Sequence, residues 1–189
     1  MCGFAGFADF SQPFPGQQQH WLDLARSMAR RIAHRGPDGH GASFSPHCVL
    51  AHARLAVMDP QHGQQPLSLP WQGHQVSIAY NGEVYNAPQL RGELEALGFS
   101  FASRCDTEVV LASYLAWGPD CARRLQGIFA FAIYDPAAPR LLLCRDPFGV
   151  KPLFLTRWQG RLAFASEIKA LFQLPGGRPG VDKDGLREG

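Results

Sequence analysis

Ile128-Phe129-Ala130-Phe131-Ala132-Ile133-Tyr134 alternates small and bulky apolar residues and then breaks at Asp135-Pro136. Residues 140–145, 153–158 and 162–165 follow as further short apolar runs, joined by the loop 146–152 and by Gln159-Gly160. Runs of this length between turn residues read as successive antiparallel strands. Outward from this block, a short helix is expected over residues 167–174 and a Pro/Gly-rich linker over 175–180. Upstream, a helix is expected from Asp106 or Thr107 to Trp117, ended by Gly118-Pro119, and another from Asn86 or Ala87, ended by Gly98. Strands are expected over residues 3–9, 48–57, 76–80 and 99–103, and a helix over 17–35 carries Leu22, Ala25, Ala29 and Ile32 at helical spacing. Residues 59–70, with three prolines and three glutamines, show no period and read as a loop. Helices gather between hairpin-connected strands rather than alternating with them one by one. That order predicts an α+β fold of antiparallel sheets covered by helices, not a βαβ array.

The chain has 189 residues, 46% hydrophobic and 18% charged, with a formal net charge of +2. That is room for one domain with a sizeable core. The charge is too small, and the arginines too scattered, to indicate nucleic acid. No apolar stretch approaches the roughly 20 residues of a membrane span, and the N-terminus has no secretory-signal pattern. Cysteines at 2, 48, 105, 121 and 144 are odd in number and form no CxxC pair. Neither a disulfide framework nor a structural zinc site is expected, and a reducing, cytoplasmic compartment fits best. The seven histidines lack metalloprotease-like spacing, and His34 and His52 read as core or supporting residues.

Four segments carry candidate chemistry, each beside a plainer reading. Cys2 follows the initiator methionine. With Met1 removed it would bear a thiol and a free α-amine together, and such an amine can serve as base for its own side chain. Their ordinary pKa values, about 8.5 and about 7.7–8.0, are closely matched. Alone, Cys2 reads as a small buried residue in a first strand. Arg54, in His52-Ala53-Arg54-Leu55-Ala56-Val57, is a surface arginine or a carboxylate clamp. Asn81-Gly82 is a strong hairpin signal, or a side-chain and a backbone N–H for an oxyanion. Glu83 is solvated, and Asp106 caps a helix, unless the two hold an ammonium group. Taken together, one nucleophile, one oxyanion hole and opposite charges for a zwitterion describe an amidase acting on a free amino acid.

The motifs Cys2-Gly3-Phe4-Ala5-Gly6, Arg35-Gly36-Pro37-Asp38-Gly39, His52-Ala53-Arg54-Leu55, Tyr80-Asn81-Gly82-Glu83-Val84-Tyr85-Asn86, Cys105-Asp106-Thr107-Glu108, Arg145-Asp146-Pro147-Phe148-Gly149-Val150-Lys151-Pro152-Leu153 and Phe164-Ala165-Ser166-Glu167-Ile168-Lys169-Ala170-Leu171 occur in this order. The set resembles the N-terminal glutaminase domain of glutamine-hydrolysing asparagine synthetases, which are class II glutamine amidotransferases among the N-terminal-nucleophile hydrolases. The resemblance runs to about residue 174. It implies a four-layer αββα sandwich of two antiparallel sheets over residues 2–174. Residues 175–189 would then be a linker and the start of a C-terminal synthetase domain, the chain being a fragment or a stand-alone first domain.

The resemblance also implies site roles. Cys2 is the nucleophile, and Asn81 and Gly82 form the oxyanion hole. Arg54 binds the glutamine carboxylate, with backbone contacts from Leu55, Ala56, Val57 and Met58, and Glu83 and Asp106 receive the ammonium. The loop 146–152 is expected to be structural, shaped by Gly149 and Pro152, and the loop 59–70 to close over substrate. L-glutamine is the implied substrate. No metal or cofactor is expected for this half-reaction; ATP and Mg²⁺ belong to the synthetase domain. That domain is the implied partner, and loss of its surface would leave apolar patches favouring self-association, for instance as a homodimer. A related glutaminase with another ammonia acceptor, or a non-catalytic regulatory module on the same fold, are the alternatives.

Overall fold

A computed structural model describes residues 1–56, 59 and 63–177. The elements run β1 (Gly3–Ala8), α1 (Gln18–Arg31), β2 (Gly39–Ser45), β3 (Cys48–Arg54), β4 (Leu67–Trp71), β5 (His74–Val84), α2 (Ala87–Ala96) and α3 (Asp106–Trp117), then β6 (Gly127–Asp135), β7 (Arg140–Arg145), β8 (Phe154–Trp158), β9 (Arg161–Ala165) and α4 (Ile168–Leu171). Two antiparallel sheets result, one in the order β2-β3-β1-β9-β8 and the other β4-β5-β6-β7.

Side-chain alternation makes three apolar layers out of these sheets. The outward residues of the first sheet, Ala5, Phe7, Val49, Ala51, Ala163 and Ala165, bury Trp21, Leu22, Ala25 and Met28 of α1 together with Ala170 and Leu171 of α4. Their small side chains let the helix approach closely, and the aromatics fill the ends: Phe7 meets Phe14 edge-on and also contacts Trp158. The outward residues of the second sheet, among them Val76, Ile78, Tyr80, Phe129 and Phe131, pack on α2 and α3. Between the sheets lie Phe4, Leu50, Ala79, Ala130, Ala132, Tyr134 and Phe164. The molecule is therefore the four-layer αββα sandwich. Among the described residues no helix is long and apolar enough to cross a membrane.

Several sequence expectations are corrected. The helix expected over 17–35 ends at Arg31 and gives way to a 3₁₀ turn at Ala33–Arg35. The four C-terminal strands are not all neighbours: β7 pairs with β6, β8 pairs with β9, and the loop between β7 and β8 crosses from one sheet to the other. β2 was not foreseen, and β4 begins inside the stretch read as a loop and runs one residue past it. Pro70 is tolerated there because β4 is an edge strand. Residues 99–103 form no strand; the Ala102 and Ser103 amides are instead satisfied by the Glu108 carboxylate at 2.9 Å each. Asn81-Gly82 is not a turn, since β5 runs straight through it and pairs Asn81 with Ala130 and Gly82 with Phe129. Val57, Met58 and residues 178–189 lie outside the described residues.

Candidate active site

The period-two rows of three strands end together at one edge of the inter-sheet layer. On β1, Phe4 and Ala8 face inward, so Cys2 continues their row just before the strand begins. On β3, Cys48 and Leu50 face inward, and the same row carries His52 and Arg54. On β5, Ala79 faces inward, followed in the row by Asn81 and Glu83. A cavity of about 260 Å³ opens at this edge, lined by Cys2, Arg54, Leu55, Asn81, Gly82, Glu83 and Asp106 among others.

Cys2 is held by backbone. Leu55 N–H donates to its Sγ at 3.3 Å, and Sγ lies 3.5 Å from the Leu55 carbonyl, to which the thiol donates. Arg35 Nε donates to the Cys2 carbonyl at 2.9 Å while Arg35 Nη1 pairs with Glu167 at 3.1 Å. The arginine of the 3₁₀ turn thus ties the N-terminus to the segment ahead of α4. Gly3 leaves room for this arrangement: a Cβ there would stand 2.9 Å from Ile32 Cδ1 and 3.0 Å from Arg35 Cδ, so these side chains would have to shift. All five cysteines are thiols, and burial pushes Cys48, Cys105, Cys121 and Cys144 upward in pKa, away from reactivity.

Asn81 is 2% exposed, and its Nδ2 has no hydrogen-bond partner among the described residues. A buried amide donor without a partner is rare, because leaving one unsatisfied costs about 1–3 kcal/mol. Here it belongs to a residue that lines the cavity wall. Gly82 is dictated by packing: a Cβ would lie 2.5 Å from the Ile128 carbonyl and 2.7 Å from Phe129 Cα.

Asp106 is the first residue of α3, with Cys105 in the capping position. Its Oδ2 accepts the Tyr80 hydroxyl at 2.6 Å and the Val84 N–H at 3.1 Å. The helix-cap reading is thereby corrected; the side chain reaches across to β5. Burial raises the Asp106 carboxyl above its usual range, with these hydrogen bonds opposing the shift. Tyr80 is pushed well above the ordinary phenol value, first by burial and then by the Asp106 charge, so it remains a donor. Glu83 is exposed at the rim. Arg54 Nη2 donates to the Asp59 carbonyl at 2.8 Å, placing the start of the following loop over the guanidinium. His52, fully buried, contacts the Tyr80 carbonyl through Nε2 at 2.9 Å.

Of the residues foreseen, Cys2, Arg54, Leu55, Asn81, Gly82, Glu83 and Asp106 share the cavity. The backbone of Leu55 serves Cys2, and the Ala56 N–H is taken by Asp38 Oδ2 at 2.8 Å. Val57 and Met58 fall outside the described residues. Gln65 and Lys151 were not foreseen on the cavity wall. Gln65 Oε1 accepts the Tyr80 N–H at 2.7 Å and its Nε2 donates to Thr107 Oγ1 at 3.3 Å, pinning the stretch before β4 to both β5 and α3. The loop 146–152 is braced from within, Asp146 accepting the Val150 and Lys151 amides at 2.9 Å each. It also delivers Lys151 to the cavity.

Residues 1–188 match the glutamine amidotransferase domain model. Asparagine synthetase [glutamine-hydrolyzing] 3 of Bacillus subtilis is 41% identical over 188 residues, covering 100% of this chain and 30% of that protein. Asparagine synthetase B of Escherichia coli is 39% identical over 172 residues, covering 90% and 30%. The chain thus spans about a third of the length of these relatives, at their N-terminal end. Among solved structures, the glutamine phosphoribosylpyrophosphate amidotransferase of B. subtilis superposes with a TM-score of 0.73 at 20% identity, over 91% of this chain and 43% of that one. That likeness shows the fold alone, the sandwich of two antiparallel sheets covered by helices. The family match and the relatives together place the chain in the glutamine amidotransferase domain family, as the counterpart of the N-terminal glutaminase part of glutamine-hydrolysing asparagine synthetases.

Proposed function

We propose that this chain hydrolyses L-glutamine to glutamate and ammonia through a thioester on Cys2. The observation that carries the reading is the single cavity shared by Cys2, Arg54, the Asp106 carboxylate and an Asn81 Nδ2 that has no partner among the described residues. With Met1 removed, the Cys2 amine takes the thiol proton. The thiolate attacks the side-chain amide carbon of glutamine, and the oxyanion is held by Asn81 Nδ2 and the Gly82 N–H. The C–N bond breaks as the protonated amine returns its proton, releasing ammonia and leaving the γ-glutamyl thioester. Water, deprotonated by the same amine, then splits the thioester to glutamate and thiol. Arg54 is assigned to the substrate carboxylate, and Asp106 with Glu83 to its ammonium.

The half-reaction asks nothing of a metal or cofactor; ATP and Mg²⁺ enter only where a synthetase domain consumes the ammonia. That domain is the proposed partner and an aspartate-derived acceptor the proposed destination, in a cytoplasmic protein. The test is glutamate release by protein confirmed by mass to begin at Cys2, beside Cys2→Ala. Release confined to the former supports the reading, and equal release by both overturns it.

A further inference from the structure

Lys151 stands apart from the machinery assigned above. It is 8% exposed, it lines the active-site cavity, and no carboxylate pairs with its ammonium within 4 Å among the described residues. Its ammonium donates to Met1 Sδ at 3.3 Å. A thioether is a weak acceptor, and this one is lost when Met1 is removed. The position is nevertheless built with care. Asp146 Oδ2 accepts the Lys151 N–H at 2.9 Å, Arg145 Nε donates to the Lys151 carbonyl at 2.8 Å, and Asp146 N–H donates to the Phe129 carbonyl on β6 at 2.8 Å. A loop this well tethered delivers a buried cation to the wall of the cavity that Cys2 also lines, within reach of the Met1 side chain.

The other charged groups around the N-terminus have different engagements. Arg35 from the 3₁₀ turn spans the Cys2 carbonyl and Glu167, and Arg54 from β3 reaches Asp59. Glu83 from β5 and Asp106 from α3 carry negative charge on the same cavity wall. Lys151 is the cation contributed by the loop between the sheets.

We propose that Lys151 is a positioning residue for the reactive terminus: once Met1 has gone, its ammonium disfavours a second cation on the Cys2 nitrogen and attracts the charge of the Cys2 thiolate. Both effects favour the pair of species the mechanism needs, a neutral amine and a developing thiolate. The same contact makes Met1 a plug, since the unprocessed residue occupies the cavity wall and takes the Lys151 donor. The inference rests on the reading of Cys2 as nucleophile, and its test does not require glutamine.

Protein beginning at Cys2, released from an N-terminal fusion by a protease cutting before that residue, is alkylated with iodoacetamide from about pH 5 to about pH 9. The reaction is followed on the Cys2 peptide by mass spectrometry. Lys151→Met, close in volume, is expected to raise the midpoint by about one unit and to slow alkylation roughly tenfold near neutrality. Lys151→Arg, which keeps the charge, is expected to stay near the parent curve. Coincident curves for Lys151→Met and the parent overturn the proposal, as does an equal shift in Lys151→Arg. Glutamate release on the same samples separates the two claims. A shifted alkylation curve in a parent that releases no glutamate retires the glutaminase reading and leaves Lys151 its role. Normal release with an unshifted curve does the reverse.

Discussion

Replacing Asn81 with Ala should separate activity from stability, with the two moving differently. The side chain is 2% exposed and its Nδ2 is an unpartnered buried donor among the described residues. Such a group carries an unrecovered desolvation cost of about 1–3 kcal/mol in the free protein. Deleting it removes that cost, offset by lost packing against a site that is already a cavity. The net change in unfolding free energy is expected to stay within about 1 kcal/mol of zero. The transition state loses one of its two assigned oxyanion donors, which typically costs about 2.7–4 kcal/mol, or about 10²–10³ in kcat. The assay pairs steady-state glutamate release with urea unfolding of the same preparations. A hundredfold or greater fall in kcat at near-parental stability is the expected result. Unchanged kcat would refute the oxyanion role, and a stability loss above about 2 kcal/mol would show the amide to be structural.

Gly82→Ala is expected to unfold more easily, by about 1–3 kcal/mol or more in urea titration, because its Cβ would meet backbone of β6 at 2.5 Å rather than a yielding side chain. Arg54→Lys is expected to raise KM for glutamine about 10- to 100-fold with a smaller effect on kcat, since a point ammonium cannot reproduce a bidentate fork; an unchanged KM removes Arg54 from the carboxylate site. His52 has its pKa lowered to about 4 by burial, so the folded state binds fewer protons than the unfolded chain. Stability from this group is complete above the unfolded value of about 6.5 and is lost as pH falls towards 4, about 1.5 kcal/mol by about pH 5.5. His52→Gln should flatten that slope in unfolding measured across the window. Asp106, raised by burial, should lose its charge at a pH above the usual carboxylate range, so KM for glutamine rises on acidification sooner than an ordinary aspartate would allow. An Asp106→Asn protein, with KM high at every pH, is the control.

The layers were legible because apolar alternation in β1, β5 and β6 and the helical stripe of α1 are strong local signals. β2 was hidden: Gly39–Ser45 carries two glycines and two serines, and its membership comes from pairing with β3 rather than from its own propensity. β4 was masked by proline and glutamine, although Leu67, Leu69 and Trp71 alternate with Ser68 and Pro70. Asn81-Gly82 shows tertiary context overruling turn chemistry, the glycine being needed for close approach by Phe129 while the asparagine lines the cavity. Glu108, noted only as part of a motif, closes the loop before α3 by accepting the Ala102 and Ser103 amides. Gln65 gave no local warning, and Lys151 was noted only as part of a motif. Each is one polar residue in a loop, and only the folded chain shows Gln65 bridging β5 to α3 and Lys151 reaching back to the N-terminus.

The claim at the centre is that Cys2 carries the glutamyl group. Protein starting at Cys2, mixed with glutamine and quenched in acid during turnover, can be digested and weighed peptide by peptide. A glutamyl adduct on the N-terminal peptide, absent from Cys2→Ala and from chains retaining Met1, is the predicted result. Continued turnover with that peptide unmodified would contradict the account.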